Sequence, residues 1–483
     1  MITWGISANS HDAAITVTQE DQILFASQSE RYSKVKNDPH LNPRLLEDAL
    51  YYGKPDYIVW YEKPWLKTLR QLRSGQGLIN NNPHSYMSKY GIHAPIKTVS
   101  HHEAHASAGY FTSKFKDAAI LIVDAIGEFD TTTIWSAQQT ELRKLYSSTY
   151  PHSLGLWYSA MTQRIGLKPN EEEYILMGMA VYGDPCKYLV EIEQEFFQSG
   201  DNLKLKHNLH RGCMWWKPEL NSEQDKYDIA AATQYIYSHQ FYKLLKKTKQ
   251  LVGGDNLVLG GGCVLNCSAN TIATNVFKNV WIMPNPGDAG NSLGAIAAAE
   301  KSFLDWKGPY LGYNIEGKYP TEQLVDKLLT DKIVGVANGR AEFGPRALGH
   351  RSLLADPRGV DIKDKVNDIK RRQKFRPFAP SILQEHASDY FDMNTEHSPY
   401  MQYVVKCKKP EEFPAIVHKD GTSRVQTVSK NDSPEFHKFL TNWYQETGCP
   451  MVLNTSLNIK GQPIVNDDND AQQFVNRYGV DVL

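Results

Sequence analysis

One pattern occurs twice in the first half of the chain, and it restricts the fold more than any other feature. Ile2 to Ser7, Ala13 to Thr18 and Ile23 to Gln28 read as three strands joined by tight polar turns. Ala118 to Asp124, Thr131 to Ser136 and a strand around Leu145 repeat the arrangement roughly a hundred residues later. A third buried strand, Asn256 to Leu259, runs into Gly260, Gly261 and Gly262 ahead of a helix, where missing side chains let a nucleotide approach the backbone. The expected fold is α/β, built from two similar lobes whose strand-end turns face a ligand.

A chain of 483 residues is too long for one ordinary core. With 41% apolar and 22% charged residues it has globular composition. An alanine-rich helix from Asn291 to Phe303 is followed by a stretch, Asp305 to Asn314, that reads as a linker because it holds Trp306, Gly308, Pro309 and Gly312. The expected domains are therefore residues 1–309 and a smaller α/β unit, 310–483. The latter carries strands Ile333 to Ala337 and Met451 to Leu453, a helix Thr321 to Leu329, and the start of a strand at Val480.

The formal net charge of −1 gives no global positive field to draw the protein to nucleic acid or anionic lipid, although a local patch can still do so. Six scattered cysteines lack metal-site or disulfide-scaffold spacing and suit a reducing compartment. With neither an apolar h-region at the start nor a run approaching ~18 apolar residues, the expected location is cytoplasmic.

His101 and His105, at i and i+4 in SHHEAH, share one helix face and can chelate a metal; His102 with His105 is less regular, and a polar helix end is the alternative. Asp124 closes the second-copy strand and Asp288 lies in the turn PNPGDAGNS. Two imidazoles and two carboxylates suit Fe(II), Mn(II) or Zn(II), whereas taken alone Asp288 reads as a turn cap. His11 and Asp12 occupy the first turn of the first copy, as a general base or positioning pair, or as plain surface. Glu30, Arg31, Lys34 and Lys36 follow the third strand, facing phosphate or forming a charged edge.

Further along, Arg346 and Arg351 lie in GPRALGHRSLLADPR, and residues 361–380 hold seven basic residues against three acids. A guanidinium grips phosphate or carboxylate through two parallel bonds, so an anionic substrate is expected here. A solvated basic helix is the alternative, but Arg376, set among Phe375, Pro377, Phe378 and Pro380, is expected to be held rigidly. Asn454, Thr455, Ser456 and Asn458 place hydroxyl and amide groups after the strand Met451 to Leu453.

In order along the chain, GISANSHDAA, SERYSKVKND, HHEAH, HSLGLWYSAMT, LMGMAVYG, GGGCVLNCSAN, PNPGDAGNSLGA, EFGPRALGHRSLLADPR, FRPFAPSIL, DGTSRVQTV and NTSLNIKGQPIV resemble the NodU/CmcH family of O-carbamoyltransferases over nearly the whole length. The resemblance implies a front domain of actin-like (ASKHA) duplicated lobes, similar to the universal tRNA threonylcarbamoyladenosine transferases. There His101, His105, Asp124 and Asp288 would ligate a divalent metal, Fe(II) first, with Mn or Zn also compatible. Gly260, Gly261, Gly262 and Asn266 would cradle the nucleotide, and His11 with Asp12 would be catalytic.

The rear half is similar to YrdC-type adenylating domains, with K-x-R in Lys370, Arg371, Arg372 and S-x-N in Ser456, Leu457, Asn458. Arg346, Arg351 and Arg376 would bind the phosphates of carbamoyl phosphate and Mg-ATP. The implied activity converts these two to carbamoyl adenylate and passes the carbamoyl group to a hydroxyl. The acceptor would be a sugar- or antibiotic-type small molecule, or a hydroxymethylated nucleobase in a nucleotide or in DNA. A homodimer is compatible with this reading. Two departures stand out: the chain stops near Val480 where the family often continues, and Cys263 replaces the family's alanine, an expected packing change.

A sugar-kinase-like phosphotransferase on the same actin-like fold is the rival. It needs neither HHEAH nor the rear segment. A degenerate nucleotide-binding protein is disfavoured because every expected polar residue is present.

Overall fold

A computed structural model describes residues 1–200 and 202–483. The front strands are β1 (Ile2–Ser7), β2 (Ala14–Gln19), β3 (Gln22–Gln28), β4 (Tyr57–Trp60), β5 (Ile96–Thr98), β6 (Asp117–Gly127), β7 (Asp130–Gln138), β8 (Glu141–Thr149), β9 (Asn256–Gly260) and β10 (Asn279–Ile282). They form two five-stranded sheets, β3-β2-β1-β4-β5 and β10-β9-β6-β7-β8. Numbered within each sheet, both run 3-2-1-4-5, so the repeat read from sequence is a repeat of topology, and the fold is mixed α/β. In each sheet the fourth and fifth strands pair in parallel while the second and third are antiparallel. β6 pairs with antiparallel β7 and parallel β9, and its consecutive residues Ala118 to Asp124 are all buried, so both of its faces are covered, which explains its unbroken apolar run.

The chain forms two compact units: Thr3–Ser7 with residues 55–304, and Met1–Ile2 with Ala8–Lys54 and Asp305–Leu483. The β2-β3 hairpin thus belongs to the same unit as the rear segment.

In the first unit, the helices His101–Tyr110 and Asn291–Glu300 pack backbone to backbone. A Cβ on Gly294 would lie 2.0 Å from the Ala104 carbonyl oxygen, and one on Gly5 of β1 would lie 1.8 Å from that of Ser292. Small residues in SLGAIAAA permit this approach. The helix ends at Glu300, short of the expected Phe303, because Lys301 takes a left-handed conformation (φ 50°).

In the second unit, β12 (Ile333–Ala337), β14 (Arg351–Ala355), β15 (Ala379–Leu383), β18 (Gln426–Val428) and β19 (Met451–Ser456) form a sheet ordered β12-β14-β19-β15-β18. Met451 and Leu453 join one core with Leu353, Ile382 and Phe391, while Val452 and Leu354 join the opposite core with Leu328, Phe436 and Trp443. This alternation is what a strand covered on both faces requires.

Three further boundaries differ from the sequence reading. The linker expected at 305–314 contains β11 (Tyr310–Ile315), paired with β13 (Gly339–Glu342); Gly312 serves close contact with Ala341, not a turn. β19 continues through Asn454 and Thr455 to Ser456, so these polar residues lie within the strand. At the end of the chain, Val482 bridges Gly335 in parallel and the Gly335 N–H donates to the Asp481 carbonyl at 2.7 Å, extending the sheet beside β12. β16 (Val404–Lys406) and β17 (Thr422–Arg424) form a separate hairpin ladder. No helix among the described residues is long and apolar enough to cross a membrane.

Substituting Gly294→Val wedges the two helices apart. A loss of roughly 1–3 kcal/mol in urea unfolding is expected, with little effect from Ala295→Ser one residue on.

Candidate metal centre and anion site

The helix His101–Tyr110 starts at His101 and presents His101 and His105 on one face, as the i, i+4 spacing predicts. Asp124 comes from the end of β6, and Asp288 opens the short turn Asp288–Gly290 that leads into Asn291–Glu300. All four side chains are buried, and their donor atoms lie within 4.8 Å of one another. His101 Nε2 is 3.1 Å from His105 Nε2, 3.3 Å from Asp124 Oδ2 and 3.4 Å from Asp288 Oδ1. His105 Nε2 is 3.4 Å from Asp288 Oδ1 and 4.0 Å from Asp124 Oδ2. An ion about 2.1 Å from each donor sets neighbouring donors about 3.0 to 3.4 Å apart, so the donor set fits a single divalent ion.

The electrostatics point the same way. Burial opposes a charge on His101, yet Asp288 and Asp124 outweigh it and hold its pKa well above the usual histidine value. Burial and the Asp288 charge oppose the Asp124 anion, but the bond from His101 and the charges of His105 and His101 hold it below the usual carboxylate range. Two buried carboxylates therefore demand positive charge at this point. His102 stands outside the set: its Nδ1 pairs with Thr133 Oγ1 at 2.9 Å, and burial followed by the His101 charge pushes its pKa down to about 3, so it is neutral.

Two supports went unnoticed in the sequence. Glu128 accepts the His101 backbone N–H at 3.2 Å and the Lys63 N–H at 2.6 Å, satisfying an orphan donor at the helix start. Gly127 leaves room for the His101 ring, whose Cδ2 would lie 2.2 Å from an added Cβ. The wide sequence separation of Glu128 and His101 hides the first; the second shows only as a glycine at a strand end.

The glycine turn has a part in this centre. Gly262 N–H donates to Asp124 Oδ1 at 3.0 Å, fixing the carboxylate, and Gly261 (φ 90°) passes so near Val123 that an added Cβ would lie 2.2 Å from its carbonyl oxygen. The Asn266 side chain accepts from Ala269 N–H at 3.1 Å, capping the helix Cys267–Ala273, and also bonds Gln234. Burial raises the Cys263 thiol well above its usual pKa.

In the other unit, the two rear signatures meet. Lys370 Nζ, buried at the end of the helix Ile362–Ile369, donates to the carbonyl oxygens of Ser456 (2.5 Å) and Asn458 (2.9 Å) and to Asn458 Oδ1 (2.9 Å). Ser456 Oγ donates to Asn458 Oδ1 at 2.7 Å. Burial, then Arg372, Arg376 and Lys36, pushes the Lys370 pKa well below the usual lysine value. Arg372 lies over the Phe378 ring, 3.9 Å from its centroid, and donates to Asn367 Oδ1 at 2.6 Å. Asn367 also donates to the Arg376 carbonyl at 3.1 Å, holding that backbone as its setting suggested. Arg346 is half-buried on the turn before β14.

Arg351 is different. It is fully buried and donates to the carbonyls of Asn466, Asn338, His350, Tyr313 and Gly339 at 2.9–3.1 Å, which engages every N–H of its guanidinium. The phosphate contact expected for Arg351 is corrected accordingly: this arginine binds backbone. Arg31 and Lys34 also have internal partners, Arg31 with the Gly344 carbonyl at 2.9 Å and Lys34 with Asp470. His11 Nδ1 and Asp12 Oδ2 lie 3.0 Å apart in an exposed turn where Asp12 has φ 57°.

Known proteins match both halves of the chain. Residues 3–298 match the Carbamoyltransferase N-terminus family and residues 325–483 the Carbamoyltransferase C-terminus family. An uncharacterised protein of Synechocystis sp. is 32% identical, over 99% of this chain and 95% of its own. Nodulation protein NolNO of Sinorhizobium fredii is 29% identical, over 95% of this chain and 76% of its own. The 3'-hydroxymethylcephem-O-carbamoyltransferase of Amycolatopsis lactamdurans is 25% identical, over 97% of this chain and 95% of its own. With both halves matched in order, the chain belongs to the carbamoyltransferase family, as an enzyme of the NodU/CmcH type.

Proposed function

We propose that this carbamoyltransferase makes carbamoyl adenylate from carbamoyl phosphate and ATP and transfers the carbamoyl group to an acceptor hydroxyl. The convergence of His101, His105, Asp124 and Asp288 on one buried point carries the transfer half of this reading. These residues would hold a divalent ion, Fe(II) by the family resemblance, which when bound supplies a Lewis acid for a carbonyl. Gly260, Gly261 and Gly262 are proposed to lie beside a bound nucleotide, while Asn266 shapes the helix after them. His11, with Asp12 against its ring nitrogen, is proposed to take the hydroxyl proton.

The activation half rests on Lys370, Arg372, Arg376 and Arg346, with Ser456 and Asn458. Burial, then Arg372, Arg376 and Lys36, lowers the Lys370 pKa, so an anion beside this cluster would offset its crowded positive charge. Water splits carbamoyl phosphate into carbamate and phosphate; a carbamate oxygen then attacks the α-phosphorus of ATP, and pyrophosphate leaves with the electron pair of the broken P–O bond. The basic groups would offset the charge gathered at that phosphorus. Residues 1–309 as an actin-like transfer domain and 310–483 as a YrdC-like activating domain is the architecture that goes with this chemistry. The acceptor is a hydroxyl of a sugar- or antibiotic-type small molecule, or of a hydroxymethylated base.

Pyrophosphate release from ATP should depend on carbamoyl phosphate; release without it, or none with ATP bound, would contradict the scheme. His101→Ala should abolish transfer yet leave carbamoyl phosphate-dependent ATP/pyrophosphate exchange within about twofold, whereas Arg376→Ala should lose both by about tenfold or more. Transfer that survives His101→Ala would remove the metal assignment.

Phosphate binding should also depend on pH. A lysine binds an anion best when protonated, and the Lys370 pKa is lowered, so affinity falls as pH rises through a value below the usual lysine range. Calorimetry as a function of pH should show this decline, and Lys370→Arg, compared under the same conditions so that phosphate's own titration cancels, should move it to higher pH.

A further inference from the structure

The helix Pro64–Arg73 is turned inside out. Its inward face is polar: Lys67 is buried against Glu62 at 2.6 Å, and Gln71 is buried and accepts from Asn81 Nδ2 at 2.7 Å. Its apolar residues Trp65, Leu69 and Leu72, spaced i, i+4 and i+7, are 66%, 51% and 48% exposed. The loop behind the helix adds exposed Leu78 and Ile79. Gln76 on the same loop reaches His210 at 3.3 Å, next to Arg211 and the exposed pair Met214 and Trp215. Isolated exposed apolar residues are ordinary, but a helix that buries its polar side and offers its apolar side is a surface made to be covered.

Charge narrows what covers it. From Lys63 to His102 the chain has six Lys and Arg and no acid, although the whole protein carries a net charge of −1. Lys67 is neutralised by Glu62, while Arg70 and Arg73 have no acidic partner among the described residues. A second copy docking through the same face would bring like charges together. Single-stranded nucleic acid needs a flat ring for each successive base, and beside Trp65 and Trp215 the exposed Leu69, Leu72, Leu78 and Ile79 are aliphatic. Aliphatic side chains and a tryptophan flanked by arginines on a short helix match the boundary of an anionic bilayer.

We propose that the helix Pro64–Arg73 and the loop after it form a peripheral docking surface for an anionic phospholipid membrane. The helix is fixed at its start by the Lys63 N–H on Glu128, the carboxylate that also takes the His101 N–H. The docking element and the candidate metal centre therefore share one anchor, although the docking reading does not depend on the transfer chemistry.

The test is co-sedimentation of the full chain with vesicles of phosphatidylglycerol and phosphatidylcholine, against phosphatidylcholine alone. Binding should be about tenfold stronger to the anionic vesicles and weaken with salt. Trp65→Glu with Leu69→Glu should abolish it while the thermal unfolding midpoint holds, because both side chains face solvent. Arg73→Glu, a milder change, should weaken it several-fold. Absence of binding to either vesicle overturns the proposal. So does a double variant that binds vesicles as before but loses a concentration-dependent dimer, which assigns the face to a second copy, or loses binding of a single-stranded oligonucleotide, which assigns it to nucleic acid.

Discussion

Two carboxylates, Asp124 and Asp288, are buried beside each other's imidazole partners, and the first compact unit is arranged around that fact. Buried anions are costly unless matched, and here every neighbouring element contributes to matching them. β6 delivers Asp124 at its end, the glycine turn supplies the Gly262 N–H that fixes it, and the turn at 288–290 delivers Asp288. The two helices that carry His101, His105 and the Asp288 turn approach so closely only because Gly294 and its alanine neighbours lack side chains in the way. Glu128 then fixes the helix start from which His101 projects.

The imbalance in the other unit has the opposite sign. Lys370, Arg372 and Arg376 stand near one another, and the closest partners of Lys370 are carbonyl, amide and hydroxyl oxygens. Arg351, by contrast, is fully engaged by five carbonyls and ties Asn338, Gly339, Tyr313 and Asn466 together, a scaffold for the sheet edge. The two arginines of one motif differ in place: Arg351 opens β14 and is buried, whereas Arg346 lies half-buried on the turn before it.

Much of this was legible from the sequence where spacing maps directly onto geometry. The strand triplets and the i, i+4 histidines give local periods, the K-x-R and S-x-N signatures follow from the family resemblance, and the structure brings Lys370 together with Ser456 and Asn458. What the sequence hid depends on contacts between distant segments. Glu128 reads as an ordinary turn acid until β6 folds back on the start of His101–Tyr110. Gly312 reads as linker until β13 pairs with its strand, and Asn454 reads as turn until β19 is seen to continue. Arg351 reads as an anion binder because chemistry alone does not reveal that its five donors already have partners. Asn266 reads as a nucleotide contact, and the helix cap that its amide also makes is not legible from that reading.

The central claim is that the four buried side chains hold one divalent ion. Elemental analysis of the chain, loaded with Fe(II) without oxygen and freed of loose ion by gel filtration, tests it directly. The account requires one tightly held ion per chain in the natural protein and almost none in Asp288→Ala of matched secondary structure. A natural chain that retains none after loading with Fe(II), Mn(II) or Zn(II), or an Asp288→Ala chain that retains as much, contradicts it.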